Sequence, residues 1–264
     1  MNKWVPLAFG MASIGLSPCS HAFDITPETM LGIDVIAASD YRVGGFSLTQ
    51  GNPALMSAAT LVHKPSGLFA GVFTSNVDFG TDTRREFDYY AGIARPLTEH
   101  TRFSLEYVAY DYPKDSWVNF NEWIGTFGFY GITVGVKYTN NLQNPPARAA
   151  LAAQLAPYGI SIKPRDKERV VTWLEYTMPL PYQVLLNARY GYTETHDELA
   201  YQAGNGSFRS SYRDWQVSVS KPFLGLTWKA AYIDTDLSRT ECYSAFGVAG
   251  DCSATVVASV IKSF

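Results

Sequence analysis

Apolar and polar residues alternate with period two along most of this chain. Ile132, Val134, Val136 and Tyr138 are separated by Thr133, Gly135 and Lys137. Phe103, Leu105, Tyr107 and Ala109 alternate with Arg102, Ser104, Glu106 and Val108. The same rule holds for Val184 to Tyr192, for Trp215 to Val219, and for Leu226 to Tyr232 around Lys229. Successive side chains of a strand point to opposite faces, so each series describes a strand with one apolar and one polar face. The pattern predicts about twelve strands, over 31–42, 53–63, 68–76, 85–95, 101–111, 120–130, 132–139, 169–178, 182–193, 212–221, 224–234 and 255–264. Their phase is least defined in 53–63, 68–76 and 255–264. Most are near the roughly 9–11 residues with which a tilted strand crosses a bilayer.

The connections alternate as well. Short ones centre on Lys64-Pro65-Ser66-Gly67, Pro96-Leu97-Thr98-Glu99, Gly131, Pro179-Leu180-Pro181 and Pro222-Phe223. The intervening ones are longer, above all 139–168, 194–211 and 235–254. Short turns on one side and long loops on the other are the rhythm of an up-and-down membrane barrel, and they put both termini on the short-turn side. One stretch breaks the strand pattern. Asn144 to Pro157 is rich in Ala and bracketed by prolines, which predicts a short helix in the fourth long loop, either constricting the pore or lying on the rim.

The charges obey the same phase. Asp34, Glu86, Asp88, Arg102, Glu106, Glu122, Lys137, Glu175, Arg189, Asp214 and Lys229 all fall opposite the apolar series. An Arg or Lys on the lipid face at mid-membrane costs about 2–4 kcal/mol. The reading is an all-β chain forming a transmembrane antiparallel up-and-down β-barrel of about twelve strands, with these eleven charges lining its pore. A soluble β-sandwich with polar residues toward water accounts for the same segregation and stays open here.

Composition adjusts this picture little. Charged residues make up 17% of the 264 residues and aromatics 14%. The charged share is below the roughly 25% usual in soluble domains. Beyond the N-terminus no apolar run approaches the roughly 18 residues that a membrane helix needs. The formal net charge of −3 and the lack of Lys/Arg runs exclude a nucleic-acid partner. No nucleotide loop, zinc spacing or calcium loop is present, so no cofactor or metal is expected.

Lys3, the apolar stretch Val5 to Leu16 and Ser20-His21-Ala22 have the layout of a secretory signal peptide, residues 1–22, which leaves 23–264 as the barrel. Cys19 keeps a lipoprotein reading open, although Pro18 fits a lipidation box poorly. After cleavage Cys242 and Cys252 remain. In an oxidising compartment such a close pair is expected to form a disulfide closing a loop.

Ala38-Ser39-Asp40-Tyr41, Gly45-Phe46-Ser47-Leu48-Thr49, Asn52-Pro53-Ala54, the run from Gly67 to Val72, Ser75 to Phe79, and Glu86 to Gly92 together resemble the TorF-like family. That family is named as porins on the strength of a predicted barrel rather than a proven substrate. The resemblance covers about residues 31–95. Gly44 stands where the family usually carries Arg, with Arg42 nearby. The resemblance implies the cell outer membrane and a channel. It supplies no substrate.

The leading function is therefore diffusion of small solutes or ions through a narrow lumen lined by mixed charges. Seven acidic against four basic lining residues imply a mild cation preference. The expected partners are outer-membrane lipid, the solute, and the barrel-assembly machinery, which would read the terminal aromatic Phe264. Lys262 departs from the apolar alternation expected near that end. Two other readings remain. One is a plugged structural or adhesive barrel acting through its external loops. The other is an outer-membrane hydrolase, for which His196-Asp197-Glu198 is the candidate cluster and no catalytic residue is assigned.

Overall fold

Each alternating segment becomes one stave of a closed antiparallel barrel. The computed structural model describes residues 22–143, 146–159, 161–164 and 167–264. The expected signal segment thus lies, but for Ala22, outside the described residues. Twelve strands form the wall: β1 (Thr29–Ala38), β2 (Ala54–His63), β3 (Leu68–Asn76), β4 (Arg85–Pro96), β5 (Thr101–Asp111), β6 (Phe120–Phe129), β7 (Ile132–Thr139), β8 (Arg169–Leu180), β9 (Val184–Glu194), β10 (Ser211–Phe223), β11 (Leu226–Thr235) and β12 (Thr255–Ser263). Each pairs with its sequence neighbour, and β12 returns to β1 with Ser259 opposite Ala38 and Ser263 opposite Asp34. Closure matters because lipid offers no partner for an unpaired backbone edge. A short strand, Phe23–Thr26, continues the seam below β12 by pairing with Leu31, Met30 and Thr29.

The first strand is shorter than the pattern predicts. It ends at Ala38, because Asp40 collects the Ser47 hydroxyl (2.6 Å), the Thr49 hydroxyl (2.9 Å) and the Arg42 guanidinium (2.6 Å) and turns the chain inward. The proline turns also sit later than expected. Pro179 and Pro222 are the penultimate residues of β8 and β10, paired with Leu185 and Thr227. A proline has no N–H for the ladder but is tolerated near a strand end. The turns follow at Tyr182-Gln183 and Leu224-Gly225, all four at positive φ. Tyr130-Gly131 and Leu224-Gly225 are two-residue hairpin loops with both residues at positive φ, the geometry that matches strand twist.

The outer wall is apolar. Leu105, Val134, Val136, Leu174, Val217 and Val219 are all exposed at strand positions. Trp123, Tyr138, Tyr176, Tyr190, Trp228 and Tyr232 join them. A side chain free of protein contact yet hydrocarbon in character belongs in lipid. Lys262 lies on this face at the short-turn rim, where its ammonium donates to the Gly225 carbonyl (3.2 Å) above the Phe264 ring. A long stem with its charge at the interface costs little there.

The interior has two halves, and the alternation alone does not predict this. Ile36, Met56, Val62, Phe69, Phe73 and Ile261 point inward from β1, β2, β3 and β12 and pack into one apolar cluster. Ten of the eleven charges occupy the opposite wall, β4 to β11, and Asp34 stands on β1.

Helix α1 (Pro146–Leu155) forms in the fourth long loop as expected, with a short 3-10 turn to Tyr158 and Gly159 at φ +74 closing it. Pro suits the first helical position, where its missing N–H has no role. Helix α2 (Arg239–Phe246) was not foreseen. Ser238 and Glu241 form a reciprocal capping box at its start. The disulfide joins Cys242 of α2 to Cys252, as the pair predicts. Phe246, at the end of α2, stacks on Phe46 at 4.2 Å.

Candidate functional site: the barrel lumen

Period-two geometry sends every charge named from sequence to the inner face. Glu86, Asp88, Arg102, Glu122, Lys137, Glu175, Arg189 and Lys229 line one cavity of about 640 Å³. Asp34, Glu106 and Asp214 are buried on the same face without lining it. Asp34 instead accepts a hydrogen bond from Ser263 (2.6 Å) across the seam. The cavity reaches from Phe246, Val248 and Asp251 among the external loops to Gly131, Thr177 and Ser220 at the short-turn end.

The charged wall is organised by Glu122, which is 3% exposed. One of its oxygens accepts from Arg169 (2.8 Å) and Thr139 (3.1 Å), the other from the Tyr110 hydroxyl (3.0 Å), with the Lys137 ammonium 3.6 Å away. Further round, Arg189 pairs with Asp214 and lies over the Trp173 ring. Lys229 faces Glu175. Arg102 donates to Thr133 (3.2 Å) near the short-turn end.

Arg169 is missing from the eleven, although Glu175 six residues on shares its phase. It stands at the first residue of β8, where a strand boundary drawn from sequence is loosest. With it the inward charges become seven acidic and five basic, so the excess falls from three to two. The tyrosines Tyr41, Tyr110 and Tyr112 are likewise lumen residues. They donate to or face carboxylates, a role that composition does not reveal.

Two external loops fold over the mouth. Arg42 donates to the Gly45 (3.0 Å) and Ser253 (2.9 Å) carbonyls, and the Ser47 amide donates to the Asp251 carbonyl (2.9 Å). Gly44, where the TorF-like pattern has Arg, is at φ +56, and a Cβ there would meet the Tyr212 hydroxyl at 2.8 Å. The Tyr212 hydroxyl donates to the Gly44 carbonyl. Arg42 thus ties the first loop to the last. None of the helix α1 residues whose side chains are described lines the cavity. Arg148 anchors it on the rim through a bidentate pair with Asp197 (2.5 and 3.3 Å).

Removing the disulfide within the last external loop is expected to loosen that loop. Cys242→Ser with Cys252→Ser should cost about 2–3 kcal/mol of loop order, as for a short closed loop. Faster proteolysis of 236–254 in the double variant, with the barrel itself still protected, is the measurable result. The seat of this loop also responds to pH. Burial pushes the Asp251 carboxyl up to about 6, Arg42 opposing and Asp40 and Asp78 adding to the rise. The folded loop therefore holds this proton more tightly than an unfolded chain does. Its stabilising share is complete below the ordinary Asp range and is lost as pH rises through about 6. Hydrogen-exchange protection factors over 247–253 should be higher at about pH 5 than at about pH 7.5, and Asp251→Asn should remove the difference.

The hydrolase reading finds little support in side-chain positions. Asp197 gives both oxygens to Arg148, and the exposed His196 is held through its backbone amide by Glu194 (3.1 Å). His63 does meet Ser66 (2.7 Å) and Glu28 (3.6 Å), but on an exposed turn that borders neither described cavity. Among the described residues no cluster of three or more His, Cys, Asp or Glu is placed to hold a metal.

A protein-family model described as "Bacterial protein of unknown function (Gcw_chp)" matches residues 25–264. It does not carry the TorF label. No curated protein matches. Among solved structures the chain is similar to the NanC porin, at 9% identity over 87% of this chain and 97% of that one, with TM-score 0.49. It is also similar to the KdgM porin, at 8% identity over 88% and 99%, with TM-score 0.47. A third is OccAB3 of Acinetobacter baumannii, at 11% identity over 92% and 66%, with TM-score 0.40.

Proposed function

The chain belongs to the Gcw_chp family of bacterial proteins of unknown function, and from that premise and the lumen geometry we propose that it is an outer-membrane porin passing small solutes or ions. The observation that carries this reading is a single cavity running from the external loops to the short-turn end of an apolar-walled barrel. A twelve-stranded barrel is narrower than the 16–18-stranded porins, and here half its interior is filled by the apolar cluster. The route is therefore eccentric, bounded by β4 to β11 on its charged side. Charged rims and facing carboxylate and guanidinium groups orient small ions and dipolar solutes. The TorF-like affiliation of residues 31–95, export by the signal segment 1–22, and recognition of Phe264 by the assembly machinery are parts of the same proposal.

Single-channel recording on the refolded protein tests it. Stable conductance steps are expected. Silence from a preparation whose heat-modifiable gel mobility shows a folded barrel would refute the channel. That outcome would favour the structural or adhesive reading, to which the apolar half-core and the interlocked external loops already give some support.

A further inference from the structure

One side of the lumen carries more carboxylates than cationic partners. Glu86 and Asp88 project from β4 two residues apart, and Glu106 projects from β5 a step nearer the short turns. Glu86 and Asp88 are 1% and 3% exposed, and both border the central cavity. The Tyr112 hydroxyl donates to Glu86 Oε1 (2.7 Å), and the Tyr41 hydroxyl faces the same carboxylate. Glu86 Oε2, Asp88 Oδ1 and Glu106 Oε1 have no hydrogen-bond partner.

The nearest positive charge is already committed. Lys137 is the counter-ion common to all three carboxylates, yet it lies 3.6 Å from Glu122, which also engages Arg169. Four carboxylates share two cations in this quarter of the lumen. A cation that enters a low-dielectric wall beside carboxylates short of partners is held far more strongly than by the same groups in water. Beside them Tyr41 and Phe73 pack together and border the cavity, offering aromatic surface to the carbon part of a solute.

We propose that Glu86 and Asp88, with Glu106 behind them, form a binding station for a monovalent cation within the lumen, suited above all to a primary ammonium group on a small organic solute. The station rests on the channel reading and names the class of solute that the channel favours. Two carboxylates that line the cavity, each with a buried oxygen that no protein donor serves, suit a singly charged ion or an ammonium donor, and the described residues offer no cluster placed to chelate a metal ion.

The test uses the refolded full barrel in planar bilayers and in micelles. Reversal potentials across a potassium chloride gradient should show cation preference. Methylammonium currents should saturate at lower concentration than potassium currents. Glu86→Gln with Asp88→Asn should abolish both, while Glu99→Gln, which removes an exposed charge on a short turn, should leave both intact. If the double variant fails to fold, Asp88→Asn alone is read in its place. Thermal unfolding supplies an arm independent of current. Methylammonium chloride should raise the midpoint of the unaltered barrel above that in N-methylglucamine chloride at equal ionic strength. Anion preference, an unchanged ratio in the folded variant, or equal midpoints in the two salts overturns the station. A folded barrel that passes no current sinks the channel instead, and the melting comparison still decides whether the cation binds.

Discussion

Glu122→Gln is expected to destabilise the barrel by about 3 kcal/mol, the lower end of what breaking a buried ion pair costs. The side chain keeps its shape and loses its charge. Lys137 and Arg169, on neighbouring strands of one wall, are then left without the carboxylate they share, and the Tyr110 and Thr139 hydroxyls lose a charged acceptor. Arg169 keeps some contact with the cavity, which places the cost below that of a fully dry pair. The check is a lower guanidinium midpoint followed by tryptophan fluorescence, with the slope unchanged. Lys137→Met added to Glu122→Gln should recover part of the loss, because it removes one of the stranded cations. A midpoint equal to that of the unaltered protein would show that Glu122 does not organise this wall. The same variant should move ion selectivity toward anions, because Lys137 and Arg169 keep their charge while the carboxylate loses its own.

Leu174→Arg should cost about 2–4 kcal/mol if position 174 lies at the bilayer midplane. Leu174 is 54% exposed at the centre of β8 and pairs with Val134 and Tyr190, all three on the outer wall. Ser220→Arg, on the inner face of β10 at the short-turn end of the cavity, should cost much less, since its charge meets the polar lumen. Unfolding from liposomes gives both numbers. Equal penalties would mean that the outer face does not contact lipid. The contrast also separates the membrane barrel from a soluble β-sandwich, in which an exposed Leu174 tolerates Arg.

The wall was legible because lipid imposes a strict rule on one face of every strand. Ile132, Val134, Val136 and Tyr138 point outward as their spacing requires, and Lys137 between them points inward. The rule weakens where both faces are apolar. In β2 and β3, Leu55, Leu61 and Val72 face out while Met56, Val62, Phe69 and Phe73 face in. Period two is blurred there, so the filled half of the lumen could not be read. Prolines misplaced two turns, because Pro179 and Pro222 mark the ends of strands rather than the middles of loops. Arg169 was lost at a strand boundary. The capping box of Ser238 and Glu241 was present in the sequence and would have located α2. The stacking of Phe46 on Phe246 joins residues far apart in the chain, and no local pattern announces it.

The seam between β1 and β12 holds five residue pairs where the opposite edge of β1 holds ten. A cylinder of unequal staves splits along its shortest overlap, so sideways tension parts this wall where first and last staves meet. The strip Phe23–Thr26 sheathes the remainder of that margin at Leu31, Met30 and Thr29. Trimming the strip would bare a row of backbone groups at the membrane surface, and neighbouring molecules would then adhere edge to edge.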